Sequence, residues 1–395
     1  MTREHHESVW AVFCRVIDNH GDLGVCWRLA TQLSARGLAV HIYVDDASAL
    51  RWMAPSGCTG VTVLPWPADD EVFTAAEIPG VVIEAFGCEL PAAYQAAMAA
   101  RTQSPVWVNL EYFSLEASAQ RNHGLPSPVL SGPAKGLTKW FYYPGWDEHS
   151  GGLLTDFHPA SAGSMCSEDG ESAQTFSRTL GVRLKPGLSP RPQVDSTLVA
   201  KLAAENEPGK SHVPSASPLN ISVFCYEPPG LSLWLAQLAQ LPRQVHLHIT
   251  AGRATAAVRH AMLSVGVSGF GLEFLDHMSQ PDYDHLLANM DLNLVRGEDS
   301  LVRAMCAGKP FLWQIYPQHD GAHIPKLQAF LEQTGAPPVV VQAHLAWNAS
   351  EPQALPEWTP ACLASWSDWA QQIRLHLSQQ TSLAERLMGF VAAKG

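Results

Sequence analysis

Two clusters of charged residues sit where apolar runs end. Residues 15–24 read RVIDNHGDLG, so Asp18 and Asp22 lie four positions apart in a glycine-bearing turn. The run SVWAVFCRVI leads into this turn and the helix-like segment VCWRLATQL leaves it. A strand-to-helix turn of this kind usually holds a phosphate, through a GxGxxG backbone and the helix N-terminus. Here one GxxG is present with two carboxylates, a lining that repels phosphate and favours a cation. One aspartate suffices to cap a helix at Val25. The other is then available as a general base, a metal ligand or the partner of a positively charged substrate group.

The second cluster lies in DLNLVRGEDSLVRAMCAGKP, residues 291–310, which reads as a strand, a short RGED loop and a helix from about 299. Unpaired N–H groups at that helix start suit a diphosphate, and Arg296 adds charge. Asp299 and Ser300 lead the first turn as binding groups or caps, and Arg303 reads as a solvated helix residue. Glu298 sits in the strand-end loop, where it can face the acidic turn of the other half. Phe224 and Tyr226 in VFCYEPPG, with Gln280 and Tyr283 in SQPDYDHLL, offer faces to stack a nucleobase and an amide to read its edge. Each aromatic taken alone also fits a core position. His319 and His323 have i,i+4 spacing, but Gly321 between them and Pro317 before them oppose a metal helix, so no metal site is assigned. His246 and His248 alternate along VHLHI and face a domain surface or make buried hydrogen bonds.

These residues need parallel strands to bring them together. Short β-branched runs alternate with helical patterns through the first part, and the alternation restarts at 219. Residues 156–178 read as a polar connector and 205–218 as a surface loop. The 395 residues, 46% hydrophobic, exceed one typical core and imply two domains, 1–180 and 181–365. Two helical patterns at about 366–395 return to pack on the first. A formal charge of −12 argues against nucleic-acid or anionic-membrane binding, so any phosphate is held locally. Eight scattered cysteines without a CxxC pair read as reduced, mostly buried thiols. No apolar stretch is long enough to span a membrane and MTREHHES lacks a signal core, so the expected location is cytoplasmic.

FCRVIDNHGDLGVCWRLA and LVRGEDSLVRAMCAGKPFLWQIYPQHDGAHIPKLQAFL resemble the EarP family, bacterial protein-arginine rhamnosyltransferases that modify elongation factor P. The similarity covers nearly the whole chain and is weaker between about 150 and 218. It implies an α/β GT-B glycosyltransferase fold, with two Rossmann-like domains facing across a cleft. The N-terminal domain would receive elongation factor P, and the C-terminal domain would hold dTDP-L-rhamnose. Inversion at the anomeric carbon and no metal or other cofactor are also implied. The family's motif carboxylates fall on Asp18, Asp22 and Glu298, and its nucleotide contacts on Phe224, Tyr226, Gln280, Arg296, Asp299 and Ser300. At Tyr283 other members can carry Phe, which preserves a stacking face. Two rival readings are a GT-B nucleotide-sugar epimerase, which needs no protein acceptor, and a non-catalytic module that binds a nucleotide sugar or the translation factor.

Overall fold

The computed structural model describes residues 9–17, 20–155, 217–318, 321 and 323–395. Asp18, His319 and most of the two polar stretches lie outside them, as does the 180/181 division. In the first half the chain runs β1 (Val9–Cys14), α1 (Gly21–Ser34), β2 (Ala39–Val44), α2 (Leu50–Met53), β3 (Val61–Pro65), β4 (Val81–Ala85), α3 (Ala92–Ala99), β5 (Val106–Leu110), α4 (Ala117–Asn122), β6 (Pro126–Pro128) and β7 (Thr138–Tyr142). These strands form one sheet of order β3-β2-β1-β4-β5-β7-β6, parallel except for β6 against β7. The central strands β4 and β5 are buried throughout, Glu84 and Asn109 included, as strands with helices over both faces are.

The second half has β8 (Leu219–Val223), α5 (Leu231–Leu238), β9 (Val245–Ile249), α6 (Arg253–Val265), β10 (Gly271–Phe274), α7 (Gln280–Asn289), β11 (Leu292–Arg296), α8 (Gly297–Ala307), β12 (Phe311–Gln314), α9 (His323–Gln333) and α10 (Pro338–Trp347). Its sheet, of order β10-β9-β8-β11-β12, is parallel throughout. In both sheets the strand order reverses beside the first strand, β1 or β8. Doubly wound folds bind ligands at the carboxyl ends of the strands at that reversal.

The two C-terminal helices divide between the halves. In α11 (Pro360–Ser378), Trp366, Trp369, Ile373 and Leu377 enter the second core, contrary to the expectation that everything from about 366 packs on the first. The indole N–H of Trp366 donates to Phe311 O at 3.0 Å, and that of Trp369 to Thr334 O at 3.0 Å. Only α12 (Leu383–Lys394) returns, placing Leu383, Ala384 and Leu387 in the first core behind a Ser382/Glu385 capping box. Where it returns, Leu383 N–H donates to Leu153 O at 2.8 Å, so the start of α12 crosses the segment just before residue 155. Gly152 sits at this crossing with φ 73°, and a Cβ there would lie 2.9 Å from Thr381 O.

Candidate functional site

β1 delivers the acidic turn to the cleft. Helix α1 begins at Gly21, four residues before the expected start, so Asp22 belongs to its first turn. His20 is the N-cap residue and makes no side-chain capping bond. Asp22 is buried, and both of its oxygens receive bonds: the Tyr112 hydroxyl donates to Oδ1 at 2.8 Å and Ile17 N–H to Oδ2 at 2.9 Å. Burial, and then the Asp22 charge, push the Tyr112 hydroxyl well above its ordinary range, so it remains a donor.

The opposite wall is built from the ends of β8 and β11. Gly297 bends the chain between β11 and α8 at φ 66°, a conformation suited to glycine. This places Glu298 in the first turn of α8 instead of the preceding loop. Arg296 is the N-cap residue and no side chain caps the helix start; the Ser300 hydroxyl instead bonds back to the Arg296 N–H at 3.0 Å and to its carbonyl. The N-cap role expected of Asp299 or Ser300 is therefore not taken up by either. The Arg296 guanidinium lies 4.4 Å from the Phe224 ring centroid and 4.7 Å from that of Tyr226, and it donates to Cys225 O at 3.1 Å. One face of each ring expected to stack a base thus carries Arg296. Arg253 lies 5.0 Å from the Tyr226 ring centroid and pairs with Glu227, whose carboxyl is held low by that bond.

Three features were not read from the sequence. Lys326 of α9 pairs with Glu298 at 2.5 Å and lies 5.9 Å from the Tyr112 ring, so the cleft contains a cation beside its acids. Gln280, expected to read a base edge, donates from Nε2 to Gly24 O at 3.0 Å across the domain boundary. Gly24 permits that approach: a Cβ on it would lie 3.3 Å from Gln280 Nε2 and 3.4 Å from Asp299 Oδ2.

Third, Arg303 is 6% exposed and not solvated. It donates to both oxygens of Asp284, at 2.8 and 3.0 Å, and to Leu154 O at 3.0 Å. Arg28 of α1 grips the same carboxylate at 3.0 and 3.1 Å and stands 3.8 Å from Asp299. This Arg28–Asp284–Arg303 node fastens the helix bearing Asp22 to the helices bearing Gln280, Tyr283 and Glu298. The fork geometry of arginine could have suggested a bidentate partner, but a separation of 256 residues hides which acid it finds.

Asp22, Phe224, Tyr226, Gln280, Tyr283, Arg296, Glu298, Asp299 and Ser300 all line one interdomain cleft of about 530 Å³. Only Asp18 among the candidates lies outside the described residues. Burial drives the Tyr283 hydroxyl well up, so it too remains a donor there. His323 instead accepts from Gln318 N–H through Nδ1 at 3.1 Å, at the start of α9. His248 meets Glu273 at 2.7 Å and Asn220 at 3.2 Å on the second sheet, away from the cleft lining.

Two parallel-sheet α/β domains closing on a cleft, with a buried acid on one wall and an arginine and helix N-terminus on the other, define a glycosyltransferase of GT-B fold. The family model described as elongation factor P (EF-P) rhamnosyltransferase EarP matches residues 10–392, and the chain belongs to that family. A protein-arginine rhamnosyltransferase of Pseudomonas putida is 40% identical over 342 residues, covering 82% of this chain and 81% of the relative. One from Pseudomonas aeruginosa is 37% identical over 407 residues, covering 97% and 98%. A solved structure described as the structural basis for EarP-mediated arginine glycosylation of EF-P aligns with a TM-score of 0.54 and 25% identity, covering 98% of this chain and 99% of that one.

Proposed function

We propose that this enzyme transfers L-rhamnose from dTDP-β-L-rhamnose to an arginine side chain of elongation factor P, with inversion at the anomeric carbon and without a metal. The observation that carries this reading is the division of the cleft. Asp22 lies on one wall, and Arg296 with the uncapped start of α8 lies on the other.

An arginine guanidinium is cationic at any working pH and has no free lone pair. Asp22, together with Asp18, draws it in and orients it. A carboxylate of ordinary basicity cannot strip that proton beforehand, since a gap of about eight pKa units costs roughly 11 kcal/mol. The proton therefore passes to Asp22 as the C–N bond forms or after it. Glu298 contributes negative charge from the opposite wall while Lys326 holds its carboxylate in place. The dTDP leaving group gains charge as the glycosidic bond breaks, and Arg296 with the α8 N–H groups stabilises it most at that moment. Attack from the face opposite the diphosphate inverts the anomeric centre. Phe224, Tyr226, Tyr283, Gln280, Asp299 and Ser300 complete the donor pocket.

The test is mass spectrometry of elongation factor P incubated with this protein and dTDP-L-rhamnose. A gain of one deoxyhexose on a single arginine is expected. Donor consumption without any modified protein would overturn the proposal.

A further inference from the structure

Among the described residues, only Phe86 and Glu89 combine a side chain with a left-handed backbone, at φ 57° and φ 50°. A bulky residue at positive φ costs energy and persists only where its surroundings hold it. Phe86 directly follows β4, and its N–H donates to Leu110 O at 2.7 Å, so the strained residue is pinned to the end of the neighbouring strand. The left-handed bend turns its ring onto Tyr112, with centroids 4.2 Å apart and planes inclined by 12°. Tyr112 lies two residues beyond β5, and its hydroxyl reaches Asp22.

We infer that Phe86 and Tyr112 are positioning residues for Asp22: the strained Phe86 fixes the plane of the Tyr112 ring, and the Tyr112 hydroxyl fixes the carboxylate toward the acceptor. This deepens the proposed function and rests on its assignment of Asp22. Ile17 N–H holds Oδ2 from the backbone and the Tyr112 hydroxyl holds Oδ1, so the two bonds together fix the rotation of the carboxylate about its own bond. A carboxylate bound on one oxygen alone turns through orientations from which it cannot meet an incoming guanidinium. Among the described residues, Tyr112 meets the opposite wall through Lys326, 5.9 Å from its ring, and through the charge of Glu298, neither of which is assigned to the nucleotide. The chain from Phe86 should therefore act on transfer and leave donor binding alone.

The experiment compares Tyr112→Phe, Phe86→Ala and the double variant in the full-length enzyme, measuring kcat, the KM for each substrate and the Kd for dTDP by calorimetry. Losing one hydrogen bond to a charged group should lower kcat in Tyr112→Phe about 10- to 100-fold, with the dTDP Kd unchanged within about twofold. Phe86→Ala should lower kcat less, and the double variant should match Tyr112→Phe alone, because Phe86 acts through the lost hydroxyl. Tyr112→Phe keeps the ring, and its thermal midpoint separates positioning from unfolding. Wild-type kcat in Tyr112→Phe, or independent multiplicative losses in the double variant, would overturn the inference. Asp22→Asn serves as the reference: if it transfers normally the base assignment itself fails, whereas an inactive Asp22→Asn beside a fully active Tyr112→Phe defeats only the positioning chain.

Discussion

Replacing Asp284 by asparagine should loosen the joint between the domains. Its carboxylate accepts four bonds of 2.8 to 3.1 Å from two guanidiniums whose side chains are only 9% and 6% exposed. Removing the charge leaves Arg28 and Arg303 as neighbouring buried cations, with Asp299 at 3.8 Å from Arg28 as a weaker substitute. Breaking a buried pair costs about 3 to 5 kcal/mol. Asp284 is itself 26% exposed, which places the loss near the lower end, at about 3 kcal/mol. For a chain of 395 residues that lowers the thermal midpoint by about 4 °C, read by scanning calorimetry. Arg28→Met added to Asp284→Asn should recover part of the loss, because it removes one of the stranded cations. A midpoint within about 1 °C of wild type, or no recovery in the double variant, would refute the reasoning.

Asp22→Asn should retain dTDP binding and lose transfer by at least about 100-fold, checked by calorimetry and by the rate of acceptor modification. Gly24→Val should drive α1 away from Gln280 and Asp299, at a cost of about 1 to 3 kcal/mol, and reduce kcat/KM while circular dichroism shows the fold retained. His344 is fully buried, and burial lowers its pKa to about 4. The folded protein therefore resists a proton that the unfolded chain takes up, so stability is complete above about pH 6.5 and falls as the pH drops toward 4. Between pH 6.5 and pH 5 this amounts to about 2 kcal/mol in urea unfolding, a slope that His344→Gln should flatten.

Strand ends were the most legible part of the molecule. Apolar runs closing on RVIDNHGDLG and LVRGEDS place Asp22 and Glu298 at the carboxyl ends of β1 and β11 through local pattern alone. The helix starts were misjudged by two to four residues, because Gly21 and Gly297 open their helices without the side-chain caps that usually mark a beginning. Long-range partners were invisible. Nothing near Arg303 in sequence indicates Asp284, and nothing near Lys326 indicates that α9 brings it against Glu298. The stacking face assigned to Phe224 and Tyr226 was chosen from residue type, which does not reveal that Arg296 settles there first. The tail was misassigned because two amphipathic helices in succession carry no signal of which core each one joins.

The bond from Leu383 N–H to Leu153 O ties the tail of the chain to its first domain. Leu383, Ala384 and Leu387 share a core with Leu23 and Cys26 of α1, so the packing beneath Asp22 is complete only once α12 has docked. The acidic wall thus leans on a helix that lines no part of the cleft.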